Sequence, residues 1–170
     1  MEALSMYFTE EFRVYYEDTD SGGVMYYANF LKFAERGRTE ALRHLGISQQ
    51  DLADKSGLFF IVKSCSINYI KSAKLDDTIV VKTLFKKVQQ TSALVVQNLH
   101  CNGALLAELE VVVVCVKKKS DTNFVPARIP LEIAAKLRQN NKAKDPIAIH
   151  HSAAPPIQTS TSGSFSRFKK

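Results

Sequence analysis

Apolar and polar positions alternate over residues 10–16, EEFRVYY, and this period-two pattern predicts a strand. From about Tyr27 to Leu45 the apolar residues recur at helical spacing instead, which predicts a long helix. Gly46 follows it, where a C-cap glycine belongs. Gly37 lies inside this helix, where glycine costs about 1 kcal/mol relative to alanine. We therefore expect a sheet or a partner backbone to pack closely against Gly37.

Two shorter helices are predicted further along the chain. The stretch ISQQDLADKSG has Ser48 as a candidate N-cap, Asp51 three residues later and Gly57 at its end. The stretch IPLEIAAKLRQ predicts the last helix.

Four β-rich runs lie between these helices: LFFIVKSCSINYI, DDTIVVKTLFKKV, TSALVVQNLHC and ALLAELEVVVVCVK. Asn102 and Gly103 join the last two with a strong type I′ hairpin signal, and such short links make neighbouring strands antiparallel. One face of the sheet needs a cover, and the long early helix is large enough to supply it. The sequence therefore predicts an α+β hotdog fold, an antiparallel sheet wrapped around one long central helix.

Composition divides the 170 residues into a folded domain, 1–139, and a tail, 140–170. The tail contains SAAPPIQTSTSGSFS, which is rich in Ser, Thr and Pro and poor in large apolar groups, so we expect it to be disordered. Five basic residues and one acid give the tail a net charge of +4, which leaves +2 of the total +6 for the domain. The domain thus has no basic footprint for nucleic acid.

The apolar runs, the N-terminal segment and the cysteines bear on cellular location, disulfides and metal sites. No apolar run approaches the roughly 20 residues of a membrane helix, and MEALSMYFTEEF lacks the pattern of a signal peptide, so we expect a cytoplasmic protein. Cys65, Cys101 and Cys115 have neither disulfide nor zinc-ligand spacing. All three fall in predicted strands, where we expect reduced, buried thiols.

Residues 15–30, YYEDTDSGGVMYYANF, fit no regular structure and come directly before the apolar helix. A helix start offers unpaired N–H groups and a positive dipole end, which suit a developing oxyanion. Gly22 and Gly23 allow a sharp turn and let a substrate approach the backbone. Asp18 and Asp20 add carboxylates close to these groups. The alternative is an Asp/Gly loop that merely caps the helix.

The segment YYEDTDSGGVMYYANFLKFAERGRTEALRHLG closely resembles the signature of YbgC-type acyl-CoA thioesterases, in the 4-hydroxybenzoyl-CoA thioesterase family of hotdog proteins. LDDTIVVKT and EVVVVCV fit that family's strands, so the resemblance covers roughly residues 10–135. It implies that Asp20 is the catalytic carboxylate, as nucleophile or as general base on water. It also implies that the backbone N–H of Tyr27 polarises the thioester carbonyl. Many relatives have histidine at that position, in VYHANY, where this chain has MYYANF.

Other polar residues receive two interpretations each. Asp18 is expected to organise the loop by accepting bonds from backbone N–H groups, and a catalytic role is the alternative. Asn29 either orients the loop or contacts substrate. Lys118 and Arg128 follow a strand end, where they either bind the phosphates of coenzyme A or are solvated.

Glu35 and Arg38 stand three residues apart on the helix and match the family's "ER-R" pattern. They form either a surface ion pair or a structural pair behind the loop.

The resemblance implies an acyl-CoA thioesterase that needs neither a metal nor an organic cofactor, with Asp20 and Tyr27 as its catalytic residues. Gly23 and Asn29 are candidate substrate-binding residues beside them. It further implies homodimers or homotetramers and raises acyl carrier protein as a partner. A non-catalytic acyl-CoA-binding module is the alternative. A hydratase or dehydratase is a third possibility, which Tyr27 in place of histidine disfavours.

Overall fold

The computed structural model of the protein describes residues 7–139, so the predicted tail, 140–170, lies outside the described residues. The elements follow the predicted order, with one short strand, β6, that was not predicted. They are β1 (Phe8–Arg13), α1 (Asn29–His44), α2 (Gln49–Ser56), β2 (Leu58–Tyr69), β3 (Thr78–Val88), β4 (Ser92–Cys101), β5 (Ala104–Ser120), β6 (Asn123–Pro126) and α3 (Leu131–Gln139).

The strands form one antiparallel sheet in the order β1-β3-β4-β5-β2, with β6 added beside the far part of β5. The long helix α1 packs against β1, β3 and β4. The core between them consists of large apolar side chains that are almost fully inaccessible, among them Phe33, Ile79, Leu99 and Leu109. The predicted hotdog fold is therefore confirmed.

Helix α1 approaches the sheet most closely at Gly37. A Cβ atom there would lie 2.5 Å from Val81 Cγ1 and 3.4 Å from Gln97 Nε2. No carbon atom fits at that distance from the Val81 methyl group. The glycine therefore allows the helix to settle on β3 and β4, as predicted from its position inside the apolar helix.

The first strand ends earlier than predicted. The predicted strand over 10–16 stops at Arg13, and the chain turns through a 3₁₀ segment at Tyr16–Asp18. Val14 is fully buried and donates its N–H to the Asp77 carbonyl at 2.9 Å. Tyr15 and Tyr16 are exposed, because the turn carries them out of the sheet.

Predicted turn residues adopt the expected backbone. Asn102 and Gly103 have φ of 48° and 79°, the left-handed values that a type I′ turn requires. Ser48 caps α2 by accepting a bond from the Asp51 N–H at 3.1 Å, and Gly57 ends it at φ 63°. The hairpin and the second helix are thus confirmed.

The expectation of three buried thiols is wrong for Cys65. Cys101 and Cys115 are buried, but Cys65 is exposed on β2. It pairs with Val111 and lies on the side of the sheet that carries α1. Since α1 packs mainly against β1, β3 and β4, the inner side of β2 is left partly open at Cys65.

Candidate active site

The Asp/Gly segment is a small hairpin that leads into α1. Thr19 and Met25 form an antiparallel bridge, and the Asp20 N–H donates to the Val24 carbonyl at 2.8 Å. The tip is a turn in which the Gly23 N–H donates to the Asp20 carbonyl at 3.0 Å, with Gly23 at φ 76°. A glycine at this φ avoids strain, which is the sharp turn predicted from the two glycines.

Asp20 presents its carboxylate at the exposed tip of this hairpin. Its Oδ1 accepts from the Gly22 N–H at 2.8 Å and, more weakly, from the Val24 N–H at 3.4 Å. Its Oδ2 has no protein partner within residues 7–139. One oxygen therefore fixes the side chain while the other is available for chemistry.

Asp18, two residues earlier, has the opposite environment. It is 2% exposed, and its Oδ2 accepts from the Tyr15 N–H at 3.0 Å. Its carbonyl oxygen accepts from the Tyr26 N–H at 2.8 Å and from Asn29 Nδ2 at 2.9 Å. Asp18 thus organises the loop, as predicted. Asn29 is also buried, and its bond supports the loop-orienting interpretation of that residue.

Tyr27 places a free donor at the start of α1. Its carbonyl accepts from the Phe30 N–H at 3.3 Å and from the Tyr69 hydroxyl at 3.1 Å. The N–H groups of Tyr27 and Ala28 have no acceptor among residues 7–139. Unpaired N–H groups at the positive end of a helix can stabilise an oxyanion.

Aromatic rings line this end of the helix. The ring of Tyr69 lies 6.1 Å from that of Tyr27 and 5.5 Å from that of Phe30, both edge to face. Tyr26 and Tyr27 are 4.8 Å apart. Burial raises the pKa of Tyr69, so its phenol remains the donor to Tyr27 at neutral pH. The rings form an apolar wall beside the N–H of Tyr27.

A cavity of about 100 Å³ lies further along α1. Arg38 and Glu35 contribute its polar wall, and Leu42, Phe60 and Val62 are among its apolar lining. Glu35 and Arg38 bond to different partners. Glu35 Oε1 accepts from Thr39 Oγ1 at 2.8 Å, whereas Arg38 bonds to Gln97. The two side chains therefore do not form the predicted pair with each other.

Arg38 Nη1 donates to Gln97 Oε1 at 2.8 Å. The buried Gln97 also donates through Nε2 to the Ala34 carbonyl and to Thr83 Oγ1, each at 2.8 Å. Burial lowers the pKa of Arg38, while the nearby Glu35 charge acts in the opposite direction. These bonds tie α1 to β3 and β4 and fix the Arg38 side chain at the cavity.

Lys118 and Arg128 lie far from the hairpin within one chain. Tyr69, beside Tyr27, pairs with Ala107 on β5. Lys118 is eleven residues further along the same strand, which is roughly 36 Å. It forms an ion pair with Asp121, and the exposed Arg128 follows β6 at this same end. The structure thus brings together Asp20, Gly23, Tyr27 and Asn29, but not Lys118 or Arg128.

Two contributors were missed from the sequence. The contact of Tyr69 with Tyr27 joins residues 42 positions apart, for which one sequence carries no signal. Gln97 did have a signal, because it is polar at an inward position between the buried Val95 and Leu99.

Within residues 7–139, no group of three or more His, Cys, Asp or Glu side chains could hold a metal ion. No helix in that range is long and apolar enough to cross a membrane.

The sequence is similar to that of known thioesterases. Residues 14–137 match the family model of the thioesterase-like superfamily. The chain is 43% identical over 123 residues to acyl-CoA thioesterase YbgC of Haemophilus influenzae, covering 72% of this chain and 88% of that protein. It is 40% identical over 128 residues to acyl-CoA thioester hydrolase YbgC of Escherichia coli, covering 75% and 92%.

Solved structures agree on the fold. A probable thioesterase from Bartonella henselae superposes with a TM-score of 0.67 at 32% identity, covering 73% of this chain and 99% of that one. The 4-hydroxybenzoyl-CoA thioesterase from Pseudomonas sp. strain CBS-3 gives a TM-score of 0.72, covering 76% and 98%. At 14% identity, this second likeness shows the fold alone.

Proposed function

This chain belongs to the thioesterase-like superfamily, and on that premise we propose that it hydrolyses acyl-CoA thioesters to free coenzyme A and a carboxylic acid, with Asp20 as the catalytic carboxylate. It is a thioester hydrolase related to the YbgC enzymes. The observation that carries the assignment of residues is the hairpin, which leads directly into the start of α1. Among residues 7–139, Asp20 Oδ2 has no protein partner and the N–H groups of Tyr27 and Ala28 have no acceptor.

The free Oδ2 of Asp20 supports two routes. As general base, it takes a proton from water, and the water oxygen attacks the thioester carbonyl carbon. As nucleophile, it attacks that carbon itself, forming an anhydride that water then hydrolyses. In both routes the C–S bond breaks and the thiolate of coenzyme A leaves, to be protonated by solvent.

The N–H of Tyr27 is proposed to stabilise the charge that develops on the carbonyl oxygen. Its position at the start of α1 adds the positive end of the helix dipole. The donor belongs to the backbone, so histidine at this position in relatives and tyrosine here are compatible with the same task. The Tyr69 hydroxyl bonds to the carbonyl of Tyr27 and fixes this residue in place.

We also propose a homodimer in which β2 pairs with β2 of a second copy, because β2 is a long edge strand of 12 residues. Ile61, Val62 and Tyr69 on it are 45%, 51% and 43% exposed. A long apolar edge strand left uncovered invites pairing with another chain. Pairing of β2 with its own copy would satisfy the hydrogen-bonding groups of this edge and bring the partner chain beside the inner side that carries Cys65.

Such a dimer gives Lys118 a place near the site. Antiparallel pairing about the middle of β2 sets Leu58 of the partner subunit beside Tyr69. Leu58 pairs with Lys117 within its own chain. Lys118 and Arg128 of the partner subunit would then frame the cleft and bind the phosphates of coenzyme A.

The thioester donor, the number of subunits and the cellular location are proposals as well. Acyl carrier protein remains an alternative thioester donor, and a tetramer remains an alternative to the dimer. We propose a cytoplasmic location, which the three unpaired cysteines support, because free thiols persist in a reducing compartment.

Release of free thiol from acyl-CoA tests the function directly. The purified protein should release coenzyme A from a panel of acyl-CoA substrates at rates far above the uncatalysed reaction. A protein that binds these substrates without releasing thiol would instead be the acyl-CoA-binding module.

A further inference from the structure

Helix α1 and the inner face of β2 face each other at Tyr69, beside the candidate active site, and at the cavity beside Arg38, and we call the space between these two places the groove. Leu31, Arg38 and Leu42 are spaced by seven and four residues, so they share one stripe of α1, and Tyr27 lies two residues before this helix begins. Leu31 is exposed, so the middle of the stripe is open. The stripe therefore continues from the free N–H of Tyr27 to the cavity wall.

Strand β2 forms the opposite side of the groove in reverse order. Tyr69 contacts Tyr27 at the catalytic end. Val62 and Phe60 line the cavity together with Arg38 at the other end. Between them, Cys65 and Ile67 lie on the same inner face. Helix and strand thus bound one path between the carboxylate hairpin and Arg38.

The far end of this path holds a cation without a paired carboxylate. Arg38 makes no ion pair within 4 Å among residues 7–139, and Gln97 is its hydrogen-bond acceptor there. Glu35 lies close enough to influence it, but its carboxylate accepts from Thr39. A guanidinium group has five N–H donors in a planar fork. Most of these donors therefore have no protein acceptor in the described chain.

We infer that this groove selects acyl groups that carry an acceptor oxygen, above all a carboxylate, at the end remote from the thioester, and that Arg38 binds this oxygen. The inference rests on the proposed thioesterase function. An apolar chain end at the cavity leaves the Arg38 donors unsatisfied, whereas a carboxylate accepts two of them side by side. Arg38 is thus a specificity-determining residue.

The geometry sets the length of the acyl group. Arg38 lies nine residues after Asn29, where α1 begins, which is about 14 Å along the axis, and Tyr27 is two residues before that start. Helical side chains point back toward the N-terminus, so the guanidinium lies closer to the hairpin than its own Cα. Acyl groups of medium length therefore match the groove.

The test compares three series of acyl-CoA substrates with about eight to twelve carbons: unsubstituted, ω-hydroxy and ω-carboxy. With the full-length protein, we expect kcat/KM for the ω-carboxy series to exceed that for unsubstituted chains by about tenfold or more, mainly through KM. The ω-hydroxy arm shows whether the negative charge is needed. Equal preference for both oxygen-bearing series supports recognition of an acceptor oxygen without its charge.

Arg38→Met should remove this preference. Lys32→Met is the control: it removes an exposed cation from the same helix and should keep the preference. Arg38→Lys retains one donor for Gln97 and guards against a folding defect in the methionine variant. It should show a reduced preference, because it lacks the planar fork. Melting temperatures of all variants accompany the kinetics.

Unsubstituted chains hydrolysed as well as ω-carboxy chains by the wild-type protein would overturn this inference and leave the thioesterase function intact. A preference that survives in a folded Arg38→Met protein would also overturn it. No thiol from any substrate would contradict the thioesterase function itself.

Discussion

At the scale of single residues, Asp18 and Asp20 stand two positions apart but differ in role: Asp18 organises the loop, and Asp20 is the proposed catalytic carboxylate. Asp18 is buried, and its carboxylate bonds to the Tyr15 N–H. Asp20 is exposed, with one oxygen bound in the hairpin and the other free of protein partners in residues 7–139. The sequence predicted this division from the resemblance and from turn chemistry, but the bonds depend on a hairpin that the sequence does not reveal.

Tyr27 tests whether a backbone group performs the proposed task. Tyr27→Phe and Tyr27→His should keep substantial turnover, because both retain the N–H. Tyr27→Pro should lose most turnover, because proline has no N–H to donate. The fold should tolerate the change, since this N–H has no acceptor among residues 7–139. A Tyr27→Phe enzyme as inactive as the proline variant would show that the hydroxyl takes part.

At the scale of elements, periodicity predicted the type and order of the strands and helices, and turn residues predicted their ends. Gly57 and the Asn102–Gly103 turn lie where expected, because their backbone angles favour those residues. The short strand β6 and the early end of β1 were missed. Both depend on neighbours distant in sequence: β6 on β5, and β1 on the Asp77 carbonyl that binds Val14.

Gly37→Ala should destabilise the protein in spite of alanine's better helix propensity. The new Cβ would meet Val81 Cγ1 at 2.5 Å, inside a close-packed interface. Overpacking of this kind costs about 1–3 kcal/mol, which exceeds the gain of about 1 kcal/mol in propensity. Denaturant unfolding measures the change.

Val81→Ala provides the matched control for that substitution. It removes the methyl groups that the new Cβ would meet, so Gly37→Ala should be less damaging in the Val81→Ala background than in the wild-type protein. Equal effects of Gly37→Ala in both backgrounds would show that contact with Val81 is not the cause.

At the scale of the whole molecule, a single chain leaves part of the inner side of β2 and the edge of that strand open. The opening at Cys65 made the prediction for this residue wrong, because one sequence does not show how far one helix reaches across a sheet. Lys118 lies far from Asp20 within one chain, because eleven residues of β5 separate Lys118 from the residue that pairs with Tyr69. The proposed dimer would bring these residues together, and substrate would then lie between two chains.

The dimer predicts the mass of the particle in solution. Light scattering coupled to gel filtration should give at least twice the 19.0 kDa chain mass. Association should bury the apolar residues exposed on β2. A fully active protein with the mass of one chain would contradict both the dimer and the role of Lys118 from the partner.

The tail, 140–170, should be dispensable for hydrolysis of acyl-CoA. Its composition offers no apolar face to the core, and the family match ends at residue 137. A 1–139 protein should keep its melting temperature and turnover. It should bind an acidic carrier protein more weakly at low salt, because the tail holds a net charge of +4. Loss of folding or of turnover in the shortened protein would place the tail within the domain.

The central claim is that the Asp20 carboxylate performs the chemistry, and the turnover of Asp20→Asn tests it most directly. Asparagine keeps the shape and can still accept from the Gly22 N–H, but it neither takes a proton nor attacks a carbonyl. Glu17→Gln, three residues earlier and exposed, removes a carboxylate of the same segment as a control. We predict that thiol release by a folded Asp20→Asn protein falls by at least about 100-fold, while Glu17→Gln keeps the wild-type rate. Near-normal thiol release by a folded Asp20→Asn protein would contradict the account.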